Sequence, residues 1–254
     1  MKFGLTLRLL SASSLALCAC ATLGAPPEPT RVLLLGDSIS IGYHAAVVET
    51  LGPEFTVVRP MATPKNTVVR PGATPDDTAV RPMATPEKGR AENCEGTTKG
   101  VKAIERWLAL EGGDWDIVHF NFGLHDLKRV DAQTRRNSND PADPNQADLA
   151  TYSQQLAAIA DALLACDADL IFATTTPVPE GGVRPHRDPE DVPRYNAAAR
   201  ALMEARGIAI DDLYAFALPR LDELQKPVDV HFTPEGSRLL GEEVARVIRS
   251  AARR

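Results

Sequence analysis

The chain has 254 residues, 44% of them hydrophobic and 24% charged, which suits one folded core of ordinary size. A net charge of -6 and a pI near 5.4 leave no basic footprint, so nucleic acid is not an expected partner. Its four cysteines have no zinc-type spacing, so neither a metal nor another cofactor is implied.

Residues 1–25 combine Lys2 and Arg8 with an apolar stretch and small residues, the pattern of a secretory signal. Ala19-Cys20-Ala21 suits cleavage after Ala21, while Leu17-Cys18-Ala19-Cys20 approximates a lipoprotein signal. Export is therefore expected, with periplasmic, secreted and lipid-anchored forms all open. No later run reaches the roughly 20 apolar residues needed to span a membrane. A single domain is expected over 26–254, in which Cys94 and Cys166 are the remaining cysteines. Whether they pair stays open.

Arg31 to Leu35 is a short apolar run ending at Gly36 and reads as a buried parallel strand. Ile39, Ile41, Ala45, Val48 and Leu51 then recur at roughly helical spacing up to Gly52, a C-terminal cap. Phe55 to Val58 reads as the second strand. An eleven-residue tandem repeat occupies 57–89, with six of eleven columns identical in all three copies. That period is too short and too rich in proline for a packed solenoid, so an extended loop insertion is expected. Thr98 is a candidate cap for a helix carrying Val101, Ile104, Leu108 and Leu110, which ends at Gly112-Gly113. "DIVHFNFG" (116–123) reads as a strand, and the polar stretch 128–148 as a long loop beside a site. A helix with an apolar stripe of Leu156, Ile159, Leu163 and Leu164 follows. The chain then alternates strand (169–177), helix (191–207), strand (208–213) and closing helix (233–252). This alternation implies an α/β fold whose parallel sheet carries helices on both faces, with ligands at the carboxyl ends of the strands.

Ser38 stands where the first strand hands over to the first helix. Asp and Ser there are ordinary helix caps, but free N–H groups and the helix dipole at such a turn also suit an oxyanion beside a nucleophile. A base is needed to decide. His231 lies in "VDVHFTPEGS", just before the closing helix, where Thr233 is a good cap and Pro234 a good first residue. It is therefore expected at the strand-end rim, where Asp229 can orient the imidazole.

With Gly36-Asp37-Ser38 at one end and Asp229-Val230-His231 at the other, the sequence resembles the SGNH hydrolases, the GDSL esterases and lipases. Gly96 in "ENCEGTT" matches the second block, and Gly123-Leu124-His125-Asp126 takes the place of the third, usually Gly-x-Asn-Asp. The resemblance implies a three-layer α/β/α sandwich with a five-stranded parallel sheet. It also implies Ser38 as nucleophile and His231 as base, with Asp229 as its acid. The oxyanion hole would be formed by the N–H groups of Ser38 and Gly96 together with His125. Two departures stand out. His125 replaces the family's asparagine, with Asn121 as an alternative donor that fits better as a strand-end residue bonding backbone. Val228 holds the family's usual acid position, so Asp229 is one place nearer its histidine, and a serine–histidine dyad stays open.

The expected function is an exported serine esterase that cleaves carboxylic esters, small-molecule or glycan, through an acyl-enzyme. With 5% aromatic residues, short acyl groups such as acetyl, on a carbohydrate for example, are favoured over lipids. Acyl transfer to glycan hydroxyls and a noncatalytic glycan-binding module are the alternatives.

Overall fold

The computed structural model describes residues 27–62 and 89–253. The leader at 1–25 and all but the last residue of the second and third repeat copies lie outside them. Five parallel strands form one sheet in the order β2-β1-β3-β4-β5, from β1 (Thr30–Leu35), β2 (Phe55–Val58), β3 (Ile117–Phe120), β4 (Asp169–Ala173) and β5 (Ala209–Asp211). Val32 to Leu35 and all of β3 are buried because helices cover both faces, which is why Val32 to Leu35 is an unbroken apolar run and why the one polar residue of β3, His119, pairs with Asp211 at 3.0 Å. Burying each such leucine is worth roughly 1.5–3 kcal/mol.

Five longer helices surround the sheet: α1 (Ser38–Leu51), α2 (Thr97–Leu108), α3 (Leu149–Leu164), α4 (Asp191–Glu204) and α7 (Pro234–Ala251). The short α5 (Leu213–Ala217) and α6 (Leu221–Leu224) were not legible as helices beforehand. Helices α1 and α7 pack together in one layer, and α2, α3 and α4 contact one another in the other. At the α1–α7 crossing, a Cβ on Gly241 would stand 2.6 Å from the Ala46 Cβ and 2.7 Å from the Tyr43 carbonyl oxygen. Only glycine allows the two backbones to close to this distance.

Several local expectations need correction: β3 stops at Phe120 rather than Gly123, and Ile41 and Val48 of α1 are exposed, its buried apolar residues being Ile39, Tyr43, Val47 and Leu51. Gly96 rather than Thr98 is the N-cap residue of α2, which starts at Thr97. Leu164 is exposed, since the buried stripe of α3 runs Tyr152, Leu156, Ile159, Ala160 and Leu163. Strand β4 stops at Ala173, and Thr174 to Thr176 are buried in the turn that follows it. Cys94 and Cys166 are both free thiols, near opposite ends of the strands. The 128–148 stretch is irregular, as expected, and is pinned by bridges Arg129 to Asn145 and Val130 to Asn137.

Chain order 2-1-3-4-5 places a switch point between β1 and β3. The turn after β1 carries Ser38, and the turn after β3 carries Gly123 to Asp126. A crevice outside the carboxyl ends of the strands at this point is the usual ligand position in open α/β sheets.

Candidate active site

Asp37 caps α1: its carboxylate accepts the Ile39 N–H at 2.9 Å, and its carbonyl oxygen accepts the Ser40 hydroxyl at 2.8 Å. With the cap on Ile39, the Ser38 N–H meets no acceptor among the described residues, at the positive end of the helix. Asp37 is buried, and this burial raises its pKa against the lowering effect of the Ile39 bond.

His231 reaches the same point from 193 residues away. Its Nε2 lies 2.9 Å from Ser38 Oγ, and its Nδ1 lies 2.7 Å from Asp229 Oδ1. The His231 loop is held by backbone bonds on both sides: Lys226 N–H to the His231 carbonyl at 2.9 Å, and Thr233 N–H to the Leu224 carbonyl at 2.8 Å. Thr233 then caps α7 through its hydroxyl, which accepts from Gly236 N–H at 3.0 Å. Asp229 as hydrogen-bond acceptor fixes hydrogen on Nδ1, which leaves Nε2 as acceptor of the Ser38 proton. Burial pushes the Asp229 carboxyl up, but the backbone and ring N–H groups of His231 outweigh it and hold it below the usual range. Val228, immediately before Asp229, adopts φ 53 in the left-handed region.

Gly96 arrives on the opposite side. Asn93 Oδ1 accepts the Glu95 N–H at 2.8 Å, Glu95 takes φ 58, and the Cys94 N–H donates to the Gly36 carbonyl at 3.1 Å. This last bond ties the Gly96 turn directly to the turn of the serine. The Gly96 N–H, like that of Ser38, meets no acceptor among the described residues. Directly behind it, the Asp126 carboxylate accepts the Thr97 N–H at 2.9 Å and the Thr97 hydroxyl at 2.6 Å. A Cβ on Gly96 would lie 2.8 Å from either Asp126 oxygen, so the close fit requires glycine. Burial pushes the Asp126 carboxyl up to about 6 despite the two Thr97 bonds. Asp126 and Thr97 were missed as site-building residues. Their signals were the last residue of the third block and the residue after Gly96.

His125, one residue before Asp126, is pulled down to about 3, first by burial and then by Lys128, Arg187, Lys99 and His231. It is therefore neutral in ordinary buffers. Its Nδ1 is buried and unpaired, whereas Nε2 is not among the buried unpaired atoms. An orphaned buried N–H is the rarer arrangement, which assigns the hydrogen to Nε2, the ring nitrogen that is not buried and unpaired. Asn121 takes the other course, donating to the Ala173 carbonyl at 2.8 Å across to β4, as a strand-end residue does. Ser38 and His231 also line an open groove of about 510 Å³ that runs along α1 past Gly42, Ala45 and Ala46.

A serine turn after the first strand, a histidine before the last helix and the blocks between them lie within one family pattern. The model of the GDSL-like lipase/acylhydrolase family matches residues 34–239, from β1 into α7. The chain belongs to the GDSL-like lipase/acylhydrolase family. It is an ester-bond hydrolase of the SGNH class. Among solved structures, a lipase/acylhydrolase from Enterococcus faecalis superposes with a TM-score of 0.59 at 20% identity, covering 87% of this chain and 96% of that one. An acetyl xylan esterase gives 0.58 at 13% identity, covering 86% and 99%. A GDSL-like lipase from Bacteroides thetaiotaomicron gives 0.57 at 14% identity, covering 87% and 89%. Identities this low speak to the shared SGNH fold. No curated protein matches this family member by sequence.

Proposed function

We propose that the protein is an exported serine esterase that cleaves short-chain carboxylic esters through an acyl-enzyme. The supporting observation is the Ser38–His231–Asp229 chain of contacts, 2.9 Å and then 2.7 Å, assembled from both ends of the domain.

His231 Nε2 takes the Ser38 proton as Oγ attacks the carbonyl carbon, and Asp229 stabilises the imidazolium that forms. Negative charge develops on the carbonyl oxygen, toward the N–H groups of Ser38 and Gly96 and the Nε2–H of His125. Each such donor is worth roughly 2.7–4 kcal/mol in the transition state. The tetrahedral adduct expels the alcohol, which takes the proton from His231, and an acyl-Ser38 remains. Water then repeats the sequence with His231 as base. The same residues serve hydrolysis, with water as acyl acceptor, and transfer, with a sugar hydroxyl; the His231 and Asp229 side chains are 44% and 42% exposed, so water has access for hydrolysis. The groove along α1 contains the proton donor His231 but neither Gly96 nor His125, which assigns it to the alcohol part. An acetylated carbohydrate suits so open a groove. Export rests on the leader at 1–25, and amino-terminal sequencing of the protein from fractionated cells tests it.

Purified protein incubated with an aryl acetate, with and without sugar acceptors, tests the activity. Release of phenol with acetate as product is expected, abolished in Ser38→Ala. Acetyl groups appearing mainly on the sugar would assign transfer instead, and no turnover of any ester would favour the binding module.

A further inference from the structure

The Arg187 side chain is 5% exposed, yet no carboxylate among the described residues pairs with it. Its Nε donates to the Leu124 carbonyl at 2.7 Å and its Nη1 to the Pro185 carbonyl at 3.2 Å. Nη2 has no acceptor among the described residues and is not among the buried unpaired atoms, so it is the nitrogen that keeps contact with solvent. The Leu124 carbonyl lies within the Gly123 to Asp126 turn, immediately before His125, so the guanidinium is anchored directly to the turn that carries His125. Asp37 beside the nucleophile and Asp229 beside the base both stabilise its charge, and burial still pulls it down to about 10. A buried guanidinium that keeps one open end in contact with solvent can exchange that water for a ligand, and an acceptor of opposite charge there offsets the cost of burying the cation. A planar fork of this kind matches a carboxylate.

We propose that Arg187 binds an acidic group of the substrate, its Nη2 edge receiving a carboxylate carried close to the scissile ester. This deepens the esterase reading and rests on it: the substrates are esters with an acid on the acyl or the alcohol side. The catalytic groups stay as described, and Arg187 sets specificity.

Three aryl esters read the assignment: a neutral phenyl acetate, a phenyl hemisuccinate with its acid on the acyl side, and an acetoxybenzoate with its acid on the alcohol side. For one acidic ester, kcat/KM should exceed that of the neutral ester by roughly tenfold or more, as a charge-assisted hydrogen bond provides. Arg187→Gln should abolish the preference and Arg187→Lys keep part of it, with the neutral ester changing far less. A merely structural role would lower all three esters together. Wild-type enzyme with no preference for either acidic ester overturns the proposal without any variant, as does a preference that survives Arg187→Gln. Calorimetric titration of Ser38→Ala with succinate and with benzoate reads the same site without turnover. Binding lost in Ser38→Ala/Arg187→Gln supports the assignment even where no ester is hydrolysed. Absence of binding in a preparation whose wild type hydrolyses neutral esters overturns it and leaves the esterase reading intact.

Discussion

Asp229 Oδ1 accepts two hydrogen bonds from His231, the ring Nδ1–H at 2.7 Å and the backbone N–H at 3.0 Å. One oxygen therefore sets both the tautomer and the direction of the ring. The pair is partly exposed, so water can replace some of this support. Asp229→Asn should lower kcat by roughly tenfold to a thousandfold, less than the ~10⁴ lost when a buried triad acid is amidated. Ser38→Ala and His231→Ala should each cost ~10⁴ or more. Steady-state rates on one aryl ester rank the three, and an Asp229→Asn rate equal to that of His231→Ala would contradict the exposed-acid account.

Val228, just before the Asp229-Val230-His231 motif, is itself strained. A β-branched residue at φ 53 is a backbone outlier that costs about 1–2 kcal/mol, and its side chain is half exposed, so little packing compensates. Val228→Gly should stabilise the fold by up to about 1 kcal/mol after the entropy cost of glycine, and Val228→Asn by a similar amount. Chemical denaturation of the two variants checks this, and the Ser38–His231 chemistry should be unaffected.

His125 makes a prediction about acid stability. Its pKa is about 3 in the folded chain against 6.5 as the ordinary value, so the unfolded state binds the extra proton first. Stability from this group is complete above about pH 6.5 and is lost as pH falls toward 3, with a slope approaching ~1.4 kcal/mol per pH unit at most. His125→Asn removes that loss, so its melting temperature should fall less steeply with acidification than that of wild type. The proposed oxyanion role of His125 gives a second expectation: His125→Ala should lower kcat by roughly 10² to 10³ with KM little changed, His125→Asn should regain part of the rate, and unchanged kcat in folded His125→Ala would contradict the role.

The Gly96 turn depends on the absence of a side chain. Gly96→Ala forces a Cβ to within 2.8 Å of the Asp126 carboxylate, so the turn or the carboxylate must move. The Gly96 N–H then leaves its place, and kcat should drop by roughly 10² or more while the sheet stays folded. Circular dichroism with kinetics separates the two effects. Unchanged kcat in folded Gly96→Ala would remove this N–H from the oxyanion hole.

The repeat is anchored at its base. Met61 bridges Ala91, the Ala62 N–H donates to the Arg90 carbonyl at 2.7 Å, and the Glu92 N–H donates to the Pro60 carbonyl at 2.9 Å. Entry and exit thus lie side by side. Deleting residues 68–78, one whole copy, should leave cooperative melting and esterase rate close to wild type, because loop length adds little to closure entropy. Loss of cooperative unfolding would assign the repeat a structural role.

Local sequence determined the elements and their order. Short apolar runs such as Val32 to Leu35, closed by a turn at Gly36, read as strands covered on both faces, Asp37 and Thr233 cap the helices they precede, and a strand–helix alternation points to a parallel sheet. Ser38 and His231 were legible because each sits in a local signal, a turn after a strand and a loop before a capped helix. Their contact was not, since a 2.9 Å bond between residues 193 apart is decided by the packing of α1 on α7 through Ala46 and Gly241. The 2.7 Å Asp229–His231 contact and the left-handed backbone at Val228 beside it are supplied by no spacing rule. Arg187 gave no signal at all, because an arginine in a loop is usually solvated. Only the tertiary fold encloses it and leaves one end of its guanidinium free. Periodicity and caps are written within a few residues of one another, whereas burial and orientation are settled by parts of the chain that meet only once it has folded.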